Sequence, residues 1–127
     1  MRLRIVVADD NPAFLSVVVS MLRAEFDVVA TAADGKAAVE RIREHKPDVA
    51  VLDLGMPGLN GIDVTKAVKN HIPGPSVVIC SVETDPEIVR LAQQAGALGY
   101  VFKVRVGEDL KSAIKLAVQG RSFVSPS

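Results

Sequence analysis

Five short β-prone runs alternate with five helical segments along the whole chain, and this alternation limits the possible folds more than any other feature. The first run, residues 3–8, is rich in branched aliphatics. Asp9, Asp10, Asn11 and Pro12 break it with turn and helix-start chemistry ahead of a periodic segment over 13–25. Residues 26–31 form the second run, after which Asp34 caps a helix over 35–45 that Lys46 and Pro47 stop. The third run, 48–54, is followed by the breaker-rich stretch 55–61 and a helix over 62–70. Pro73, Gly74 and Pro75 lead into the fourth run, 76–81. Asp85 and Pro86 then start a helix with Ile88, Leu91, Ala92 and Ala95 on one face, and Gly96 ends it. Residues 99–102 are the fifth run. The last helix, over 108–119, is expected to bury Leu110, Ala113, Ile114 and Ala117 before Gly120 caps it.

Parallel neighbours need crossovers, and crossover helices pack on the sheet, so the alternation predicts an α/β domain with a parallel sheet covered on both faces. The 127 residues suit one core, with the domain over 1–120 and a short tail over 121–127. The strand order 2-1-3-4-5 of doubly wound, flavodoxin-like (βα)5 sheets enters by analogy, because the residues fix the alternation and not the order. Hydrophobic residues make up 49% of the chain and aromatics only 4%, which describes an aliphatic interior and excludes a disordered class. Fifteen basic side chains balance fifteen acidic ones, so no overall field draws the domain to nucleic acid or an anionic membrane. The apolar runs fall far short of the roughly 18 residues that suggest a membrane span. A lone cysteine, Cys80, and a start that leads directly into a strand give the expectation of a reducing, cytoplasmic setting.

In an open α/β sheet the functional crevice lies beyond the carboxyl ends of the strands, where the strand order reverses between the first and third strands. Asp9 and Asp10 close the first run and Asp53 lies at the end of the third, so three carboxylates are predicted to converge. Like charges so close repel, and a hard divalent cation bound through oxygen, best Mg²⁺, is the first functional expectation. Ser81 and Lys103 end the fourth and fifth runs, adding a hydroxyl donor and a flexible positive charge. A phosphoryl group on Asp53 would use all of these, and aspartate is a nucleophile for phosphoryl transfer. Cys80 alternates away from Ser81 and reads as a small buried hydrophobe. His45 and His71 fall near helix ends without ligand spacing to the aspartates.

Together, the pair Asp9 and Asp10, Asp53 within VLDLGMPGLNG, Ser81 ending VVICS and Lys103 ending GYVFK resemble the receiver domain of two-component response regulators, in order and over essentially the whole chain. The resemblance implies that Asp53 is the phosphoacceptor, supplied by a phosphohistidine on a sensor histidine kinase. It further implies that Asp10, Asp53 and the backbone carbonyl of Gly55 bind Mg²⁺, with Asp9 acting through water. Ser81 and Lys103 would contact the phosphoryl oxygens, and Tyr100 would be the aromatic that turns inward as Ser81 moves toward the phosphate. The end of the chain, AVQGRSFVSPS, is similar to the last receiver helix and linker of NarL/LuxR-like regulators. Residues 121–127 are therefore expected to begin a linker to a C-terminal helix-turn-helix domain outside this chain. DNA would be reached only through that domain, and a homodimer would form on phosphorylation. On this reading the domain is not an enzyme, apart from promoting its own phosphorylation.

Certain positions depart from the usual pattern of that family. Val82 follows Ser81 where Ala or Gly is common, and its branched side chain would narrow access and slow dephosphorylation. Gly55 and Glu83 occupy the positions that tune hydrolysis; Gly55 has no side chain to exclude water and so pushes the other way. Val104 stands where proline often follows the lysine, a proline that NarL-like members commonly lack. The first helix carries more apolar residues than one stripe can bury, and Leu15, Val19 and Leu22 are expected to form a surface for the kinase or a second receiver. Two rival readings are a phosphorylation-independent interaction module and a haloacid dehalogenase-like phosphatase. The first is opposed by the intact Asp10, Asp53, Ser81 and Lys103. The second calls for an aspartate two residues after the nucleophile, where this chain has Gly55.

Overall fold

The computed structural model describes residues 2–70 and 74–126, so the expectations for His71 and Pro73 lie outside the described residues. Strands β1 (Arg4–Ala8), β2 (Asp27–Ala32), β3 (Val49–Asp53), β4 (Ser76–Ser81), β5 (Gly99–Phe102) and β6 (Phe123–Val124) form one sheet in the order β2-β1-β3-β4-β5-β6. Every pairing is parallel. The order adopted by analogy is thus the one found, with one strand more at the β5 edge.

Helices α2 (Gly35–His45), α3 (Gly61–Lys69) and α4 (Pro86–Ala95) cover one face of the sheet, while α1 (Pro12–Arg23) and α5 (Val106–Val118) cover the other. Strand alternation divides the core between the two faces. Val6 and Ala8 of β1 join the α2–α3–α4 side, whereas Ile5 and Val7 join the α1–α5 side. The three central strands β1, β3 and β4 are almost wholly buried, which explains their near-continuous aliphatic sequence.

Local chemistry fixes the helix starts. Asn11 accepts from the Phe14 amide at 3.1 Å ahead of Pro12, and Asp34 accepts from the Ala37 amide at 2.8 Å. Asn60 and Asp63 bond reciprocally in a capping box at the head of α3. Asp85 and Pro86 open α4, and Gly96, at φ 116°, closes it in the left-handed region. A 3₁₀ turn, Lys103–Arg105, leads directly into α5, which begins two residues earlier than the sequence pattern indicated.

Certain expectations need correction. On α4 the fully buried residues are Val89 and Ala92, while Leu91 is 43% exposed, so the helix is rotated relative to the predicted face. On α1 the surface expected from Leu15, Val19 and Leu22 is not presented. Leu22 is wholly buried, Leu15 and Val19 are half-buried against the α1–α5 core, and the exposed apolar residue is Val17, at 58%. The tail read as the start of a linker supplies β6. Phe123 donates its amide to Leu98 O and Ser125 its amide to Tyr100 O, each at 2.9 Å. No helix among the described residues is long and apolar enough to cross a membrane.

Candidate functional site

Asp53 is the last residue of β3, which is buried along its full length. Asp9 and Asp10 follow β1, the neighbouring strand, whose register sets Ala8 beside Leu52. The chain reverses direction of growth across the sheet between β1 and β3, so both strands deliver their carboxyl ends to one crevice. One carboxylate oxygen from each of Asp9, Asp10 and Asp53 lies within 4.8 Å of the others. Asp9 and Asp53 are buried, at 3% and 7% exposure, and Asp10 is exposed.

Lys103 reaches this cluster from the end of β5. Its ammonium lies 2.8 Å from Asp9 Oδ2 and 3.3 Å from Asp53 Oδ1, with 15% of the side chain exposed. Burial raises the Asp53 carboxyl above its ordinary value, the Asp9 charge raises it further, and Lys103 pulls the other way. Burial would lower the Lys103 ammonium, but its bond to Asp9 and the charges of Asp53 and Asp9 outweigh that and hold it above its usual range. The site therefore contains more negative charge than its one lysine compensates, on hard oxygen donors.

The loop behind Asp53 packs closely. Gly61 donates its amide to Leu54 O at 2.9 Å, and a Cβ there would meet Asp53 O at 2.5 Å. Gly55, in contrast, faces open space, with nothing within 4 Å of where a Cβ would stand. Around the rim Val82 and Val104 are 79% and 87% exposed.

Ser81 ends β4 with 2% exposure, and its Oγ accepts from the Glu83 amide at 3.0 Å. The Glu83 carboxylate accepts from the amides of Thr84 and Asp85, which folds the loop back on itself. Tyr100 lies inward at 1% exposure. Its hydroxyl donates to Glu83 O at 2.8 Å, and its ring meets Phe102 edge to face at 6.0 Å. Cys80 points into the α1–α5 core, where burial pushes its thiol up to about 12 and favours the protonated form. His45, near the end of α2, lies 3.9 Å from Glu44 and takes no part in the site.

Two participants were not identified from the sequence. Asn11 donates its amide to Asp9 Oδ1 at 2.9 Å, and the Phe14 ring lies 4.4 Å from the Lys103 ammonium. The Asn-Pro pair after the acids marked a helix cap, but no local signal connects Phe14 with a lysine so distant in the chain. A separate cavity of about 540 Å³, lined in part by Leu3, Asp48, Ser76 and Val118, lies at the opposite end of the sheet and touches none of Asp9, Asp10 and Asp53.

Residues 5–115 match the response regulator receiver domain family. The chain is 39% identical over 128 residues to the "Probable transcriptional regulatory protein NarL" of Mycobacterium tuberculosis, covering 99% of this chain and 59% of that protein. It is 33% identical to the transcriptional regulatory protein DegU of Brevibacillus brevis, covering 98% of this chain and 54% of that one. The chain thus spans little more than half the length of these relatives. Among solved structures, the receiver domain of the M. tuberculosis NarL superimposes with a TM-score of 0.90 at 38% identity, covering 94% of this chain and 98% of that one. A sheet order found in such receivers, an acid triad and lysine at its carboxyl edge, and these matches lead to one assignment: the chain belongs to the response regulator receiver domain family, on its NarL/LuxR-like branch.

Proposed function

We propose that this receiver is a Mg²⁺-dependent phosphoacceptor in which Asp53 takes a phosphoryl group from the phosphohistidine of a sensor histidine kinase. The observation that carries the reading is the placement of Lys103 against both Asp9 and Asp53, at 2.8 and 3.3 Å, at the mouth of a crevice with three carboxylates.

The donor set fits a hard divalent cation. Three carboxylates supply oxygen at short mutual range, and the open space at Gly55 leaves the neighbouring backbone accessible. Asp10 and Asp53 with the Gly55 carbonyl would hold the ion, and Asp9 would act through water. When bound, Mg²⁺ would offset charge on the phosphoryl oxygens. Asp53 attacks the phosphorus through a carboxylate oxygen, the phosphorus–nitrogen bond of the donor breaks, and the imidazole leaves with that electron pair. Lys103 donates to one of the transferred oxygens, and Ser81 donates its hydroxyl proton to another. Tyr100, bonded to Glu83 O, lies where a movement of the Ser81–Glu83 loop is felt. The outward Val82 and the bare Gly55 leave the nucleophile reachable from solvent, and Glu83 sets the fold of the intervening loop.

Output would pass through dimerisation and a C-terminal DNA-binding domain beyond this chain, in the cytoplasm. The test is intact-mass measurement after incubation with acetyl phosphate and MgCl₂. One added phosphoryl group, lost in Asp53→Asn and in EDTA, is expected. A metal-independent adduct, or none even with a phosphohistidine donor, would refute the reading.

A further inference from the structure

Lys103 has a long, flexible side chain, and strand β5 fixes only where it begins. A closed circuit of contacts fixes where it ends. Asp9 Oδ1 accepts from the Asn11 amide at 2.9 Å, and Asn11 Oδ1 accepts from the Phe14 amide at 3.1 Å. The Phe14 ring centroid lies 4.4 Å from Lys103 Nζ, and Lys103 Nζ donates to Asp9 Oδ2 at 2.8 Å. The cap of α1 thus holds the aromatic ring and one of the carboxylates in a single rigid turn, and the ammonium lies between them.

We infer that Phe14 is a positioning residue for the phosphoacceptor site, whose π-face holds the Lys103 ammonium in its bridging place between Asp9 and Asp53. This rests on the reading of Asp53 as phosphoacceptor. An ammonium has three donors, of which two are directed at the carboxylates. A ring face attracts the remaining charge through its quadrupole and is not a competing oxygen acceptor, so a donor stays available for a phosphoryl oxygen. The ring is half-buried and packs into the α1–α5 core beside Leu15 and Val18. With Asp9 and Asp53 it lines a cavity of only about 10 Å³, at the lower limit for one water, so hydration from below does not replace it. Without the ring, the carboxylates alone would hold the ammonium, and it would exchange between them and solvent.

The experiment separates ring electrostatics from packing. In the 127-residue chain, Phe14 is replaced by 4-fluoro-, 3,5-difluoro- and 3,4,5-trifluorophenylalanine, which keep the shape and progressively withdraw charge from the face. Two quantities are followed: the rate of Asp53 phosphorylation by acetyl phosphate with MgCl₂, and the rate at which acetic anhydride modifies Lys103 in metal-free buffer, read by peptide mass. Across the series the first is expected to fall, and the second to rise, in graded steps totalling about 3- to 10-fold. Phe14→Leu should lie beyond the end of both series. Flat fluorination series in both measurements overturn the inference, even if Phe14→Leu is impaired, because packing alone would then account for the residue. If the unaltered chain gains no phosphoryl group, the phosphoacceptor reading fails, while the labelling series still decides whether Phe14 holds Lys103.

Discussion

Ser125 donates its hydroxyl proton to Asp109 Oδ2 at 2.7 Å, and both residues are buried. The same Ser125 Oγ accepts from the Phe102 amide at 3.1 Å, and Arg105 grips Asp109 from the other side through Nε and Nη2. A two-residue strand has little pairing of its own, so this polar clasp reinforces the backbone bonds that join β6 to β5. Ser125→Ala would leave a buried amide without its acceptor and is expected to cost about 1–3 kcal/mol. Urea denaturation should show the lower midpoint, and trypsin should cut after the exposed Arg121 several-fold faster. An unchanged midpoint together with unchanged cleavage would show that the tail is held by other contacts.

Asp53 gives a prediction whose sign is set by burial. Its carboxyl is held above the ordinary 3.8, by burial first and by Asp9 second. The folded value exceeds the unfolded one, so the destabilisation from its charge is absent below the unfolded value and is felt fully once pH rises past the folded value. In EDTA, Asp53→Asn should therefore be more stable than wild type at pH 7, with the gap shrinking as pH falls toward 4. MgCl₂ should reverse the order by stabilising wild type, by about 2.7 kcal/mol at a hundred times its Kd, and the Asn variant much less. Urea midpoints at both pH values, with and without metal, provide the test. A wild type more stable than Asp53→Asn in EDTA at pH 7 would contradict it.

The features legible in the sequence are those set by near neighbours or by strand ends. Asp34, Asp85 and Gly96 mark helix boundaries through caps that span only a few residues. Asp9, Asp53, Ser81 and Lys103 reach one edge because parallel strands all deliver their carboxyl ends there. What was hidden depends on partners far along the chain. Phe123 and Val124 are too short a run to announce a strand and become one only beside Gly99 and Tyr100. Ile88, Val89 and Leu91 permit two helical faces, and packing on the sheet selects the one with Val89. Leu22 belongs to an over-long apolar run whose burial is settled by the α1–α5 core. The resemblance supplied the roles of the site residues; the residues themselves supplied their convergence.

Gly61 is constrained by the backbone of the residue it supports. A Cβ there would stand 2.5 Å from Asp53 O and 3.1 Å from Ile79 Cδ1, so Gly61→Ala must shift the β3–α3 loop or Asp53 itself. A loss of about 1–3 kcal/mol is expected, with weaker Mg²⁺ binding as the carboxylate moves. Gly55→Ala is the control, since its Cβ meets nothing within 4 Å and should change stability by less than about 0.5 kcal/mol. Denaturation and metal titration of the two variants should separate them clearly; equal behaviour would mean that the loop gives way freely at Gly61.

Tyr100 is the only tyrosine in a chain without tryptophan, so near-ultraviolet absorbance follows one phenol. Burial raises that phenol above its ordinary 10.0, and the contact with Ser81 works against the rise. A folded value above the unfolded one means that its contribution to stability is complete below pH 10 and is lost as pH rises through the folded value. Wild type should thus lose stability above pH 10 more steeply than Tyr100→Phe, with phenolate absorbance appearing later in the folded chain than in urea. At neutral pH, Tyr100→Phe removes only the bond to Glu83 O, an acceptor in an exposed loop that water can satisfy, and should cost no more than about 1 kcal/mol. Tyr100→Ala empties a fully buried ring site and should cost about 3–5 kcal/mol. Coincident absorbance titrations in buffer and in urea would show that the ring is not held inward. Because its hydroxyl ends on Glu83, whose amide binds Ser81, that result would also remove the path by which Ser81 can reach Tyr100.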